Sequence, residues 1–307
     1  MVALWGALRS TIRAGDTVVC AVNGVFGDGF ASMARGMGAN VVVVESDWRH
    51  PVNVEQLIAA IKTHDPKLVT IVHCETPSGM LNSLEGIGAA VAAHTTDGLL
   101  LVDFVSSACG APLDVDALQI DLGLLAPQKV LSGPAALGMT SISDKAWKRI
   151  NAIGYVGYDA LQPFYRVAEI EPRLMPYTHN WHAVRATLQA CRNILDHGGL
   201  EQSWSRHAEV AQFCRDLVRN ELKLSLYIEN DAVAATTVTA VELPASVSWA
   251  ALNRELCANS VFVGGSYGPL YGKVFRLGHM GTQADKALVA RAVAAIGTAI
   301  EKLTKVE

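Results

Sequence analysis

Charge is scarce in this chain and close to balanced. Lys and Arg number 25 against 29 Asp and Glu, charged residues make up 18%, and the formal net charge is −4. Neither nucleic acid nor an anionic membrane has an electrostatic reason to be a partner, which leaves small molecules or another protein. Paired cysteines are also missing. Cys20, Cys74, Cys109, Cys191, Cys214 and Cys257 form no CxxC and join no histidine cluster at zinc spacing. A disulfide framework and a metal site therefore have no support, and a reducing cytoplasm is the expected setting. No apolar run has the length of a bilayer span. The N-terminal MVALWGALRSTIRAGD places Arg9 and Arg13 after a short apolar patch and has no small-residue cleavage site, so a soluble, cytoplasmic protein is expected. Internal repeats and low-complexity linkers are absent too.

What the chain has in quantity is apolar residues, 50% of 307, enough for a large core with a smaller satellite. In the first half, short β-rich runs alternate with helix-periodic stretches, the pattern of a mostly parallel α/β sheet covered on both faces. Strands are expected at Thr17–Val22, Asn40–Glu45, Leu68–His73, Leu99–Asp103 and Leu122–Leu125. Helices are expected at Gly29–Met37, Asn53–His64 and Leu84–His94, with a short turn near Val115. Asn53 followed by Gln56 has the spacing of a helix N-cap. After about Tyr165 the pattern changes. Helices are expected over Trp181–His197, Ser203–Leu222, Trp249–Ala258 and Thr282–Leu303, with β-rich runs at Ala234–Val241, Val261–Gly264 and Lys273–Leu277. This divides the chain into a large domain, 1–165, and a small C-terminal α+β domain, 166–307.

Two strand ends carry chemistry. In GLLLVDFVSS an apolar run ends on Asp103, and ligands of open α/β sheets sit at the carboxyl ends of strands. Taken alone, a turn acid or an N-cap is the plainer reading. In DLGLLAPQKVLSGP another run ends at Pro127, Gln128 and Lys129, where apolar and small neighbours strip water from an amine and favour its nucleophilic free base. Taken alone, a surface lysine is the plainer reading. Together they are the pair that pyridoxal phosphate chemistry requires: a lysine to carry the cofactor and an acid for its ring nitrogen.

With HCETPSGMLNSLEGIG (73–88) ahead of Asp103, and GKVFRLGHMGTQA (272–284) near the C-terminus, the chain resembles the class V aminotransferases over essentially its whole length. The alanine-glyoxylate and serine-pyruvate group is the most similar. The resemblance implies the type I fold of pyridoxal 5′-phosphate transferases and a homodimer. It also implies exchange of an amino group between a small amino acid, alanine or serine, and a 2-oxo acid, glyoxylate or pyruvate. Lys129 is then the residue that covalently carries the cofactor. Asp103 pairs with the ring nitrogen, Val105 packs on one ring face and Phe26, in NGVFGDGF, stacks on the other. Thr76 lies near the phenolic oxygen and Gln128 reaches the phosphate. Arg276 forks onto the substrate carboxylate. Tyr177 and Thr178 reach a neighbouring subunit's phosphate, although the stretch YTHNW departs from the family's usual threonine-proline form.

The resemblance also leaves two further functions open, a lyase on the same scaffold and a non-catalytic relative. A desulfurase is disfavoured, since no cysteine lies between Ser266 and Lys273. The non-catalytic reading arises because the family carries a segment ahead of the position aligned with Met1, including a small-residue turn that holds the phosphate at a helix N-terminus. Weaker cofactor binding is the expectation for the shorter form. The run GGSYGPLYGK is no Walker loop and is expected to be a substrate-side loop. His73, His179, His182 and His279 are expected to be structural.

Overall fold

A computed structural model describes residues 2–171 and 175–305. In chain order the elements are α1 (Val2–Thr11), β1 (Thr17–Val22), α2 (Val25–Gly36), β2 (Asn40–Glu45), α3 (Val54–His64), β3 (Leu68–Val72), β4 (Cys74–Glu75), β5 (Met80–Leu81), α4 (Ile87–His94), β6 (Leu99–Asp103), β7 (Leu122–Leu125), β8 (Met139–Ile142) and α5 (Asp144–Ile153). Then follow α6 (Trp181–Asp196), α7 (Gly199–Asn220), β9 (Val238–Glu242), α8 (Trp249–Ala258), β10 (Gly264–Gly265), β11 (Val274–Gly278) and α9 (Lys286–Thr304). The main sheet has the order β2-β1-β3-β6-β7-β8, parallel throughout except for the last pair.

The two-residue alternation of a strand sorts the apolar runs onto two faces. Val18, Cys20, Val22, Leu99 and Leu101 pack with Ala7 and Leu8 of α1 and Phe30 of α2. Their neighbours Val19, Ala21, Val69, Ile71, Leu100 and Val102 pack on the other face with Leu57 and Ile61 of α3 and Ile87 of α4. Burial on both faces explains why these strands are apolar without alternation. A third core joins Val210, Cys214 and Val218 of α7 to Leu252, Phe275 and Val293, beneath an antiparallel sheet of order β10-β11-β9. The β4-β5 hairpin bridges the sheets: Met80 pairs with Ala234, and Ala235 N–H donates to the carbonyl of Gly79. Among the described residues no helix is long and apolar enough to cross a membrane.

The parallel strands lie where the apolar runs place them, with β3 ending one residue early. Asn53 caps α3 as its spacing implies, its Oδ1 accepting from Gln56 N–H at 3.0 Å. Differences arise where long-range contacts decide. α2 begins at Val25 and not at Gly29, because the distant Glu75 carboxylate takes up N–H groups of its first turn. α4 starts at Ile87, after Gly86 in the left-handed region at φ 76°. The run from Ala234 pairs as a strand only from Val238, because Ala235 bonds to the β4-β5 hairpin and Thr236 and Thr237 to the loop after β6 instead. α9 starts at Lys286, where Asp285 Oδ1 accepts from Leu288 N–H at 2.9 Å. Of the run Val261–Gly264, only Gly264 enters a ladder, together with Gly265.

Gly88 tests the packing of α4. A Cβ there would collide with the carbonyl oxygen of Leu118 and crowd Gln119. Gly88→Ala should destabilise the protein by about 1–3 kcal/mol despite its better helix propensity, read as a lower denaturant midpoint. An unchanged or higher midpoint would show that the α4 contact yields.

Candidate active site

The carboxyl ends of β3, β6 and β7 stand side by side, with Val72 in register with Asp103 and Asp103 with Leu124. Asp103 is the last residue of β6 and is only 8% exposed. Its Oδ1 accepts the Val105 N–H at 2.9 Å, and its carbonyl accepts the His73 N–H at 2.8 Å. Burial pushes the carboxyl up to about 6, against the pull of the Val105 N–H and of the positive charge of Lys129. No ion pair to Asp103 forms among the described residues.

Lys129 sits half-buried in the turn after β7. The turn is closed by Ser132 N–H donating to the Lys129 carbonyl at 2.9 Å and by Gly133 N–H donating to Pro127 at 2.7 Å. Its charge acts on Asp103 and on Cys74, whose buried thiol is pushed up to about 12 by desolvation. The acid and the lysine selected from separate sequence segments therefore face one site.

Around them are Thr76, buried, with Oγ1 2.6 Å from Ser106 Oγ, and the half-buried Val105. Phe26 lies in the first turn of α2 and keeps 37% of its surface exposed, so it is no core residue. Arg276 comes from β11 in the other sheet. Its Nε donates to the Gly265 carbonyl at 2.8 Å and its Nη1 to the Thr76 carbonyl at 3.3 Å, which brings it to the same loop. Gln128 is exposed beside Lys129. Tyr177 and Thr178 are exposed and make other contacts: Tyr177 packs on Tyr158 and Phe164, with ring centroids 5.4 and 6.0 Å away.

The histidines of the site region are held in hydrogen bonds. His73 Nδ1 lies 2.9 Å from Ser107 Oγ, and burial pushes its pKa down to about 4. His279 Nε2 lies 2.9 Å from Thr239 Oγ1, and burial pushes it down to about 3.

Sequence reasoning missed Glu75. Fully buried at the end of β4, it spans to α2, where Oε1 accepts Gly27 N–H at 2.7 Å and Oε2 accepts Phe26 N–H at 3.2 Å. Two first-turn donors are thereby satisfied, and the backbone that carries the Phe26 ring is fixed. Burial pushes its carboxyl up to about 7, opposed by those two N–H groups and reinforced by Asp103. The only signal in the sequence was an acid inside an otherwise apolar and small-residue strand end.

The family model described as Aminotransferase class-V matches residues 1–268. The chain is 31% identical to an alanine–glyoxylate aminotransferase of Felis catus, over 99% of this chain and 74% of that one. It is 29% identical to a pyridoxamine–pyruvate transaminase of Mesorhizobium japonicum, over 97% of this chain and 76% of that one. The crystal structure of ureidoglycine-glyoxylate aminotransferase from Bacillus subtilis superposes with a TM-score of 0.92 at 27% identity, covering 99% of this chain and 78% of that one.

Glu75 predicts a pH signature. With its folded pKa raised from 4.5 to about 7, the folded state holds a proton that the unfolded state has released between those values. Its contribution to stability is complete below about pH 4.5 and is lost as pH rises through about 7. Glu75→Gln removes the titration, so the wild-type-minus-variant difference in unfolding free energy should fall over that window. A flat difference would mean that the group does not titrate there.

Proposed function

The chain belongs to the class V aminotransferases, and on that premise we propose that it moves an amino group between a small amino acid, alanine or serine, and a 2-oxo acid, glyoxylate or pyruvate. Its relatives carry names that join alanine or serine to glyoxylate, and pyridoxamine to pyruvate. The observation that carries the reading is a buried Asp103 carboxylate, without an ion-pair partner among the described residues, in the field of Lys129. That arrangement fits pyridoxal 5′-phosphate, whose ring nitrogen is the cation a buried acid lacks.

When bound, the cofactor supplies an aldehyde that takes up the donor's amino group and a ring that spreads the charge left at the substrate Cα. Lys129 Nζ would be the covalent attachment point and, once displaced by substrate, the base that would carry the proton from the substrate Cα to the cofactor carbon that retains the amino nitrogen. Asp103 would keep the ring nitrogen protonated. Phe26 and Val105 would hold the ring between them, and Thr76 and Gln128 would bind its phenolic oxygen and phosphate. Arg276 binds the substrate carboxylate through the N–H donors that Gly265 and Thr76 do not use. In a homodimer, Tyr177 and Thr178 extend to the neighbouring subunit's phosphate. The cleft lies between a large domain, 1–165, and a small one, 166–307, in a cytoplasmic protein.

Added pyridoxal phosphate should give a visible absorption band that Lys129→Ala abolishes while the circular dichroism spectrum is kept. Borohydride trapping should map the adduct to Lys129; an adduct on another lysine would reject the assignment. Arg276→Ala should lower kcat/KM for alanine by roughly 1.5–3 kcal/mol of transition-state binding, the worth of a charge-assisted contact, with little loss of cofactor affinity. Unchanged kcat/KM would remove Arg276 from the site.

A further inference from the structure

The loop between β10 and β11 holds an aromatic residue against the substrate arginine, and no role in the proposed reaction has been given to it. The guanidinium carbon of Arg276 lies 4.8 Å from the centroid of the Tyr267 ring. On the strand β10 side, a Cβ at Gly264 would stand 3.2 Å from Nη2 and 3.6 Å from Nε, so the guanidinium lies close along that backbone. Arg276 is therefore bounded by Gly264 and the tyrosine ring, with Nε and Nη1 anchored on the Gly265 and Thr76 carbonyls.

The loop is itself pinned next to Tyr267. Ser266, buried, donates Oγ to the Pro77 carbonyl at 2.9 Å, next to Thr76. Gly268, in the left-handed region at φ 53°, sits where an added Cβ would be 3.4 Å from Val25 Cγ2, beside Phe26. Tyr267 thus stands between neighbours that contact the Thr76 loop and the start of α2, with 54% of its surface exposed.

We propose that Tyr267 is a positioning residue for carboxylate recognition: its ring fixes the plane of the Arg276 guanidinium so that the remaining N–H donors present a fork to the α-carboxylate. A guanidinium lying on a ring face gains from the ring quadrupole and loses rotational freedom, so less order has to be imposed when the carboxylate arrives. The phenol hydroxyl has no part in this. The inference rests on the reading of Arg276 as the carboxylate-binding residue.

The test compares Tyr267→Leu, Tyr267→Phe and Arg276→Ala in the chain saturated with pyridoxal phosphate. Two quantities are measured: the calorimetric Kd for propionate, a carboxylate with alanine's carbon chain and no amino group, and the separate kcat and KM for alanine. Tyr267→Leu should weaken propionate and raise the alanine KM by roughly three- to thirty-fold, the range of a cation–π contact, leaving kcat within about two-fold. Tyr267→Phe should match the wild type. The inference is overturned if Tyr267→Leu binds propionate as the wild type does, if Tyr267→Phe is as impaired as Tyr267→Leu, or if kcat falls along with carboxylate binding. Arg276→Ala separates the two levels. If it leaves propionate binding intact, the assignment of Arg276 fails and the inference with it; if it weakens propionate while Tyr267→Leu does not, only the inference fails.

Discussion

A carboxylate taken out of water at the end of β6 has to be paid for by a positive partner, and the site is arranged around that need. Asp103 gets one hydrogen bond from its own chain, the Val105 N–H, and the field of Lys129 from the neighbouring strand end. Neither fully offsets burial, so the carboxyl stays raised, at about 6, with no ion-pair partner among the described residues. A cation such as a protonated ring nitrogen would meet that requirement. The parallel order β3-β6-β7 makes this possible, since it sets three strand ends side by side in register.

A second buried acid works on the scaffold. Glu75 crosses from the β4 strand end to the first turn of α2 and holds the N–H groups beneath Phe26. Helix starts are ordinarily capped by a neighbour in sequence, as Asn53, Ser143 and Ser248 do for α3, α5 and α8. Here the cap comes from 48 residues further along the chain. The backbone that carries Phe26 is thereby tied to the strand that leads into Thr76.

The third component arrives from the other sheet. Arg276 reaches the Thr76 carbonyl across the cleft, Ser266 reaches Pro77, and Thr236 and Thr237 reach Gly110 and Ser106. These polar contacts tie the Arg276 strand to the loops that follow the strand ends of the main sheet.

The sequence by itself determined the parallel strands, because runs such as LLLVD and LVTIV can be stable only when covered on both faces, and it singled out Asp103 and Lys129 only as a pair, because each alone reads more plainly as a turn acid or a surface lysine. The family was legible in four ordered motifs. The sequence could not indicate where α2 begins, that Glu75 caps it, or that Tyr267 lies on Arg276. Each of these depends on partners far apart in the chain, whose meeting follows from strand order and from the packing of the second sheet on the first. Local propensity carries no information about such meetings, since an acid in a strand or a tyrosine in a glycine-rich loop has the same local preferences wherever the rest of the chain goes. Only the tertiary structure decided them, through the need of each buried donor and acceptor for a partner.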